Sequence, residues 1–407
     1  MGYKRHFFKS VGWVGTLRVL MRGITFIRLA VLARLLSPFQ FGLVGIATLV
    51  LAILEIFTET GINVFLVQEE DRIEKYIDTA WIVSIIRGVI ISLVIFLSAS
   101  LVASFFNSRE SYGLVLLISI VPLVRGFINP SIVSFQKDLK FHKEFFYQGP
   151  LFLVDAIITL VFAFITKSAV SIIYGMLASA IFELIISFIF IKPTPKLNMN
   201  YAHFLKLIHS GKWITAAGIF NYLYQNLDNI VVGKILGVQA LGLYNVGYKI
   251  SSLPITEISD VSSRVTFPLY VKIGGNKDRL KGAFLKVILF ITFLAIALGI
   301  VLFFFTKELV VLVLGQQWVE AVPVIKILVF YGVLRGISGS SSALFLALKK
   351  QEYVTVVTFI SMIGLATTII PLVLVFGLVG AGYSAIIGSL LPLPFIIYYL
   401  LKTFKQK

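Results

Sequence analysis

The chain has 407 residues, of which 58% are hydrophobic and only 14% charged, with mean hydropathy +0.97. A soluble protein would carry about a quarter charged residues, so this balance points to a protein of the bilayer. With no cysteine there is no disulfide framework, thiolate nucleophile or cysteine metal site. The net charge of +17 raises a nucleic-acid partner, but the placement of the basic residues argues against one.

Apolar runs of about 20 residues, each long enough to cross a bilayer, recur from end to end. In the first half they predict spans at 11–33, 41–64, 77–105, 111–135, 144–165 and 169–191. In the second half they fall at 209–232, 240–270, 279–305, 318–348, 353–376 and 379–401. The first run is too long for a cleavable signal peptide, and Ala30 and Ala33 make no cleavage site. The segment 308–315 reads as an interfacial or half-buried helix. With the N-terminus placed inside, the inner segments and their margins carry twenty Lys and Arg, the outer ones five. That bias places both termini in the cytoplasm and absorbs much of the net charge. No basic and aromatic surface remains for nucleic acid.

The chain also repeats itself. Ser10 and Trp13 match Ser210 and Trp213, Ala33–Leu36 matches Gly233–Leu236, and Gly42-Leu43 falls on Gly242-Leu243. At an offset of about 210, Arg125-Gly126 answers Arg335-Gly336. Six spans precede the proline-bearing stretch that starts at Lys192, and six follow it. An even number makes the two halves parallel repeats, residues 1–197 and 198–407, with a substrate path expected between them near the midplane. The predicted fold class is therefore an all-α integral membrane protein of twelve helices in two pseudo-symmetric six-helix lobes.

Ionisable groups inside the spans each need an explanation, because hydrocarbon does not solvate charge. In the first span Arg18 and Arg22 lie about 40° apart around the helix axis, and Glu55 and Glu59 share that spacing in the second. In the seventh, Asn221, Gln225 and Asp228 fall within about 60°. In the eighth, Lys249, Glu257, Asp260 and Arg264 all fall within about 80°, so one face carries charge over about four turns, and Pro254 is expected to bend the helix. The candidate cavity residues are thus Arg18, Arg22, Asn221, Gln225, Lys249, Arg264 and Arg335. Glu55, Glu59, Asp228, Glu257 and Asp260 are the carboxylates able to take a coupling proton or sodium ion. Each has a bland reading beside it. The acids of the second and eighth spans can simply neutralise the arginines, and Asp228 can brace the Gly233–Gly242 turn. Arg87, Arg125, Asp155 and Glu183 balance in charge and read as ion pairs holding spans three to six together. The eleventh and twelfth spans carry no such charge and read as scaffold. An arginine-lined space with Asn, Gln and Tyr beside apolar walls suits an amphiphilic anion of lipid, phosphate and sugar.

The stretch QNLDNIVVGKILGVQALGLYNVGYKI resembles the central signature of bacterial polysaccharide-unit flippases, and LARLLSPFQFGLVGIA resembles their N-terminal one. LGQQWVEAVPVIKIL resembles the start of their tenth helix. The resemblance covers essentially the whole chain. It implies a V-shaped fold like that of the MATE-related exporter superfamily, with helices one, two, seven and eight lining the cleft. The implied activity is movement of an oligosaccharide unit on undecaprenyl pyrophosphate to the outer leaflet of the cytoplasmic membrane, by alternating access and without a cofactor, metal or enzymatic step. Implied partners are the lipid-linked oligosaccharide, membrane lipid and a coupling proton or sodium ion, with a polysaccharide polymerase and a chain-length regulator as candidates. The two extra C-terminal helices of some relatives have no counterpart, which weighs against a lipid II flippase. A multidrug or metabolite exporter of the same fold is the alternative. A membrane-embedded glycosyltransferase or polymerase would need a catalytic domain or loop that no connection here is long enough to form.

Overall fold

In a computed structural model, residues 20–57, 66, 73–138, 140–274 and 276–405 are described, with side chains except at 136, 141, 206–217, 221, 253, 260, 264–265 and 405. The described residues form helices and connections with no strand. A backbone in hydrocarbon has to satisfy its own hydrogen bonds, and helices do this within one segment. Eight of the helices are long and apolar enough to cross a membrane. The protein is a multi-pass, all-helical membrane protein.

The chain forms two compact units, Met1–Gln225 and Asn226–Lys407. The first contains α1 (residues 20–35), α2 (Pro38–Phe57), α3 (Glu74–Phe105), α4 (Glu110–Ile118), α5 (Ile120–Gly126), the short α6 (Ser134–Lys137), α7 (Phe141–Thr166) and α8 (Val170–Phe190). Helix α9 (Tyr201–Ile235) runs on through the division. The second unit continues with α10 (Val238–Ser251), α11 (Leu253–Ile273), α12 (Lys277–Phe304), α13 (Thr306–Val313), α14 (Val322–Ala347), α15 (Gln351–Phe376), α16 (Leu378–Leu390) and α17 (Leu393–Lys405).

The compact units divide 28 residues later than the repeat does, for a visible reason. The connection between α8 and α9 is tied to the first unit. Lys196 N–H donates to Asp78 Oδ1 at 2.8 Å and Asn200 N–H to Thr79 Oγ1 at 3.1 Å. His203 then packs its ring 4.5 Å from that of Tyr76. At the far end of the same connection Asn129, fully buried, donates from Nδ2 to the carbonyls of Ser187, Ile191 and Pro193.

Proline decides where predicted spans break. The expected span 111–135 is two helices parted at Ser119, because Pro122 lacks the N–H for the Ile118 carbonyl and its ring crowds that turn. Its tail is a 3₁₀ turn at Pro130–Val133 rather than helix. The expected span 240–270 is interrupted at Ser252, two residues before Pro254, so Lys249 belongs to α10 while Glu257, Asp260 and Arg264 belong to α11. The single polar face drawn through all four does not survive that break. Glu257, Asp260 and Arg264, spaced by three and four, still share a face of α11. Thr306–Val313 is a helix of eight residues, about 12 Å long and far too short to span.

Capping follows local chemistry. Ser37 Oγ accepts from Gln40 N–H and Pro38 opens α2, while Asn276 Oδ1 accepts from Arg279 N–H to start α12. Between α9 and α10, Gly237 takes φ +89 and ψ −179, a conformation open essentially to glycine alone.

Helix packing within each unit uses small residues. In the first, α3 meets α5 where a Cβ on Gly126 would lie 2.9 Å from the Ser84 carbonyl oxygen and 3.2 Å from Gly88 Cα. In the second, Gly364 of α15 faces Gly388 of α16, and Thr368 and Ser384 hydroxyls meet at 2.8 Å. Backbone so placed cannot give way. Gly126→Ala should therefore lower stability by about 1–3 kcal/mol. Its repeat counterpart Gly336 would meet only ordinary contacts of 3.4 Å and beyond, so Gly336→Ala should be near neutral. Thermal unfolding of the two variants in detergent compares them, and equal losses would contradict the packing argument.

Candidate functional site

The membrane-embedded charges of the first unit find partners on other helices. Arg28 of α1 forms an ion pair with Asp155 of α7, both side chains about one-fifth exposed. Asp155 also accepts from Thr159 Oγ1. Arg125 of α5 donates to Glu55 Oε1 of α2 at 3.2 Å. Arg87 of α3 donates from Nη2 to the Glu55 carbonyl at 2.7 Å. Glu183 of α8 accepts from the Tyr147 hydroxyl of α7 at 3.5 Å. The expected ion pairs within spans three to six are therefore redistributed. Asp155 reaches back to the first span, and both arginines converge on Glu55 of the second.

Glu55 was expected as a coupling carboxylate, and in this unit it is the acceptor that joins α2, α3 and α5. Arg22 is exposed on α1. Gln225, on α9, is exposed as well. Arg18 and Glu59 lie outside the described residues, as does the side chain of Asn221 on α9. Tyr222, beside Asn221, donates from its hydroxyl to the Leu49 carbonyl of α2 at 2.8 Å.

In the second unit an acid and a base are each held by tyrosine hydroxyls. Asp228 of α9 is buried and accepts from the Tyr244 hydroxyl of α10 at 2.8 Å. It also accepts from Asn229 N–H at 2.8 Å. One and a bit turns along α10, Tyr248 stacks obliquely on Tyr331 of α14, ring centroids 5.9 Å apart. Arg335 donates from Nη1 to both phenol oxygens, 2.7 Å to Tyr248 and 2.6 Å to Tyr331. Phenol acceptors orient a guanidinium. The Asp228–Tyr244 bond crosses the turn between α9 and α10, so Asp228 does brace that turn. Lys249 is exposed on α10 and Glu257 half-buried on α11, whereas the side chains of Asp260 and Arg264 lie outside the description. The conspicuous motif LGQQW is structural. Trp318 is fully buried, in a 3₁₀ segment that begins after Gly315 at φ +104.

Sequence reasoning passed over Tyr248 and Tyr331. Their signal was present in the spacing, since Tyr331 sits four residues before Arg335 and Tyr244 four before Tyr248, each pair on one helix face. Asn129 gave no such signal, because its partners are distant backbone carbonyls.

Of the described helices of 18 residues or more, α9 and α11 lie outside the eight that are apolar enough to span. They carry six of the twelve candidates: Asn221, Gln225, Asp228, Glu257, Asp260 and Arg264. The least apolar helices are thus where the candidate chemistry gathers. Across residues 31–323 the chain matches the model of the polysaccharide biosynthesis protein family. It belongs to that family. Among its relatives, the lipopolysaccharide biosynthesis protein WzxC of Escherichia coli K12 is 24% identical, over 96% of this chain and 79% of that protein. The teichuronic acid biosynthesis protein TuaB of Bacillus subtilis 168 is also 24% identical, over 73% of this chain and 62% of that one. Among solved structures, the lipid II flippase MurJ in an inward closed conformation superposes with TM-score 0.77 at 14% identity, covering 98% of this chain and 89% of that one. An inward-facing multidrug resistance MATE family transporter of the MOP superfamily gives 0.71 at 15%, covering 93% and 94%. At these identities the likeness is one of fold: the chain shares the helical fold of these MurJ and MATE structures.

The ion pair between α1 and α7 is open to a direct test. Removing one member of a buried pair costs about 3–5 kcal/mol, because the other is left charged and unpaired. Arg28→Ala and Asp155→Ala should each be strongly destabilised, and the double variant less so than the two losses added together. Strict additivity in a double-mutant cycle would show the pair uncoupled.

Proposed function

We propose that this chain is a flippase that moves undecaprenyl-pyrophosphate-linked oligosaccharide units from the inner to the outer leaflet of the bacterial cytoplasmic membrane by alternating access. Membership of the polysaccharide biosynthesis family, on a chain whose polar candidates gather on its least apolar membrane helices, is the observation that carries this reading. The protein is a multi-pass inner-membrane transporter and not an enzyme. The architecture behind the proposal is twelve spans in two lobes, 1–197 and 198–407, with both termini in the cytoplasm. Twenty basic residues against five on the two sides support that orientation.

In this reading the arginines of the substrate path, Arg18, Arg22, Arg264 and Arg335, hold the pyrophosphate, with Lys249 adding charge. Guanidinium groups grip phosphate bidentately and keep their charge in any surroundings. Asn221 and Gln225 meet sugar hydroxyls. Arg335 is the best placed of these among the described side chains, since Tyr248 and Tyr331 accept from its guanidinium and fix its direction. Glu59, Asp228, Glu257 and Asp260 are the proposed coupling carboxylates for a proton or sodium ion, with Glu55 the weaker candidate because Arg125 already pairs with it. A polysaccharide polymerase and a chain-length regulator are the proposed partners downstream.

A charge-assisted hydrogen bond contributes about 1.5–3 kcal/mol, so losing one phosphate contact should weaken substrate handling roughly tenfold to a hundredfold. Arg335→Ala and the pair Arg18→Ala/Arg22→Ala, each in a strain lacking its own flippase, should cut surface polysaccharide by that order at equal protein level. Normal surface polysaccharide would remove those arginines from the mechanism. Drug resistance conferred by the wild type without polysaccharide rescue would favour a multidrug exporter of the same fold. Transport in vesicles should also stop when proton and sodium gradients are collapsed, and transport that persists would eliminate the coupling carboxylates.

A further inference from the structure

Three segments assigned to the cytoplasmic side converge in the first unit: the start of α3, the stretch from α6 to α7, and the connection after α8. They enclose a cleft of about 620 Å³. Lys137, Lys140, Lys143 and Lys192 line it together with Glu74 and Asp138. Four ammonium groups against two carboxylates leave a net +2. The Lys140–Asp138 pair, 2.7 Å apart, has both side chains nearly half exposed, so solvent screens it and an incoming anion competes with it easily. Phe135 and Phe190 also line the cleft, and Phe190 is 73% exposed at the end of α8. None of the residues proposed for the transport path takes part.

We propose that this cleft binds the phosphate of a membrane amphiphile at the cytoplasmic surface, with the lysines around the headgroup and the hydrocarbon chain leaving past Phe190. The chemistry fits in three respects. Lysine is a compact point charge that accepts phosphate without the planar geometry a carboxylate demands of arginine. The volume lies within the range of small-molecule sites, about 300–1,000 Å³. Basic groups at the cytoplasmic surface also face a leaflet rich in anionic headgroups. Two amphiphiles carry this chemistry there, an anionic phospholipid and a prenyl-linked pyrophosphate. The inference rests on the membrane orientation proposed above and not on the cargo.

The test uses the full chain in phosphatidylcholine nanodiscs and measures binding directly, without transport. The probes are short-chain phosphatidylglycerol and farnesyl pyrophosphate, with short-chain phosphatidylcholine as control. At least one phosphorylated anion should bind tenfold or more tightly than the control, and weaken as salt rises from about 0.1 to 0.5 M. The variant Lys137→Gln/Lys140→Gln/Lys143→Gln/Lys192→Gln should lose at least tenfold, and the four Lys→Arg replacements should keep binding. Should the fourfold variant not fold, Lys143→Gln/Lys192→Gln, two exposed positions, should still lose about threefold. Preference for phosphatidylglycerol assigns the cleft to bulk phospholipid, and preference for farnesyl pyrophosphate assigns it to the prenyl carrier. Unchanged affinity in the Gln variants, or no preference over phosphatidylcholine, overturns the proposal. Loss of polysaccharide rescue with this binding intact would instead count against the flippase reading alone.

Discussion

A charge placed among hydrocarbon chains has to meet an opposite charge, a hydroxyl or water, and this requirement organises the polar interior of both units. In the first, Arg28 is answered by Asp155, Arg125 by the Glu55 carboxylate and Arg87 by the Glu55 carbonyl. Those three bonds run from α1 to α7, from α5 to α2 and from α3 to α2, so they fix which helices are neighbours. Glu55 is the centre of that arrangement. A residue that joins three helices is constrained, and for that reason our proposal places ion coupling on the other carboxylates first.

The second unit answers its charges differently. Asp228 accepts from the Tyr244 hydroxyl, and Arg335 donates to the hydroxyls of Tyr248 and Tyr331. Phenols thus hold both the acid and the base in fixed directions. The contrast is sharpest at the repeat itself. Arg125-Gly126 and Arg335-Gly336 echo one another in sequence, yet Arg125 meets a carboxylate and Arg335 two phenols. Gly126 is pressed against backbone where Gly336 has room for a methyl group. Duplication preserves position along the chain, and each copy then acquires its own partners.

Helix interruptions carry the same logic. Breaks at Ser119 and Ser252 release backbone groups that hydrocarbon cannot satisfy, so they have to be covered by protein. Ser251 and Ser252 are fully buried, and Ser252 Oγ donates to the Leu328 carbonyl of α14. The interruption in α10–α11 falls between Lys249 and Glu257 and so divides the candidates on this pair of helices.

Hydropathy and charge bias are sums over long windows, so composition alone was enough to read a multi-pass all-helical membrane protein. One local signal was equally legible, since the short stretch around 306–313 reads as no span. The helix starts at Pro38 and after Asn276 were not read in advance. The motif stretches carried the family for the same reason, as they are contiguous. What only the tertiary structure decided is the identity of partners. Asp155 with Arg28 and Glu55 with Arg125 lie 127 and 70 residues apart, and charge balance within a half cannot choose among several acids and bases. Helical phase, too, holds only while a helix is unbroken, which is why the polar face drawn through Lys249 and Arg264 ended at Ser252. The basic cleft likewise exists only after folding, because its lysines come from two separate stretches, 137–143 and 192, that one helical packing brings to the same end of the unit.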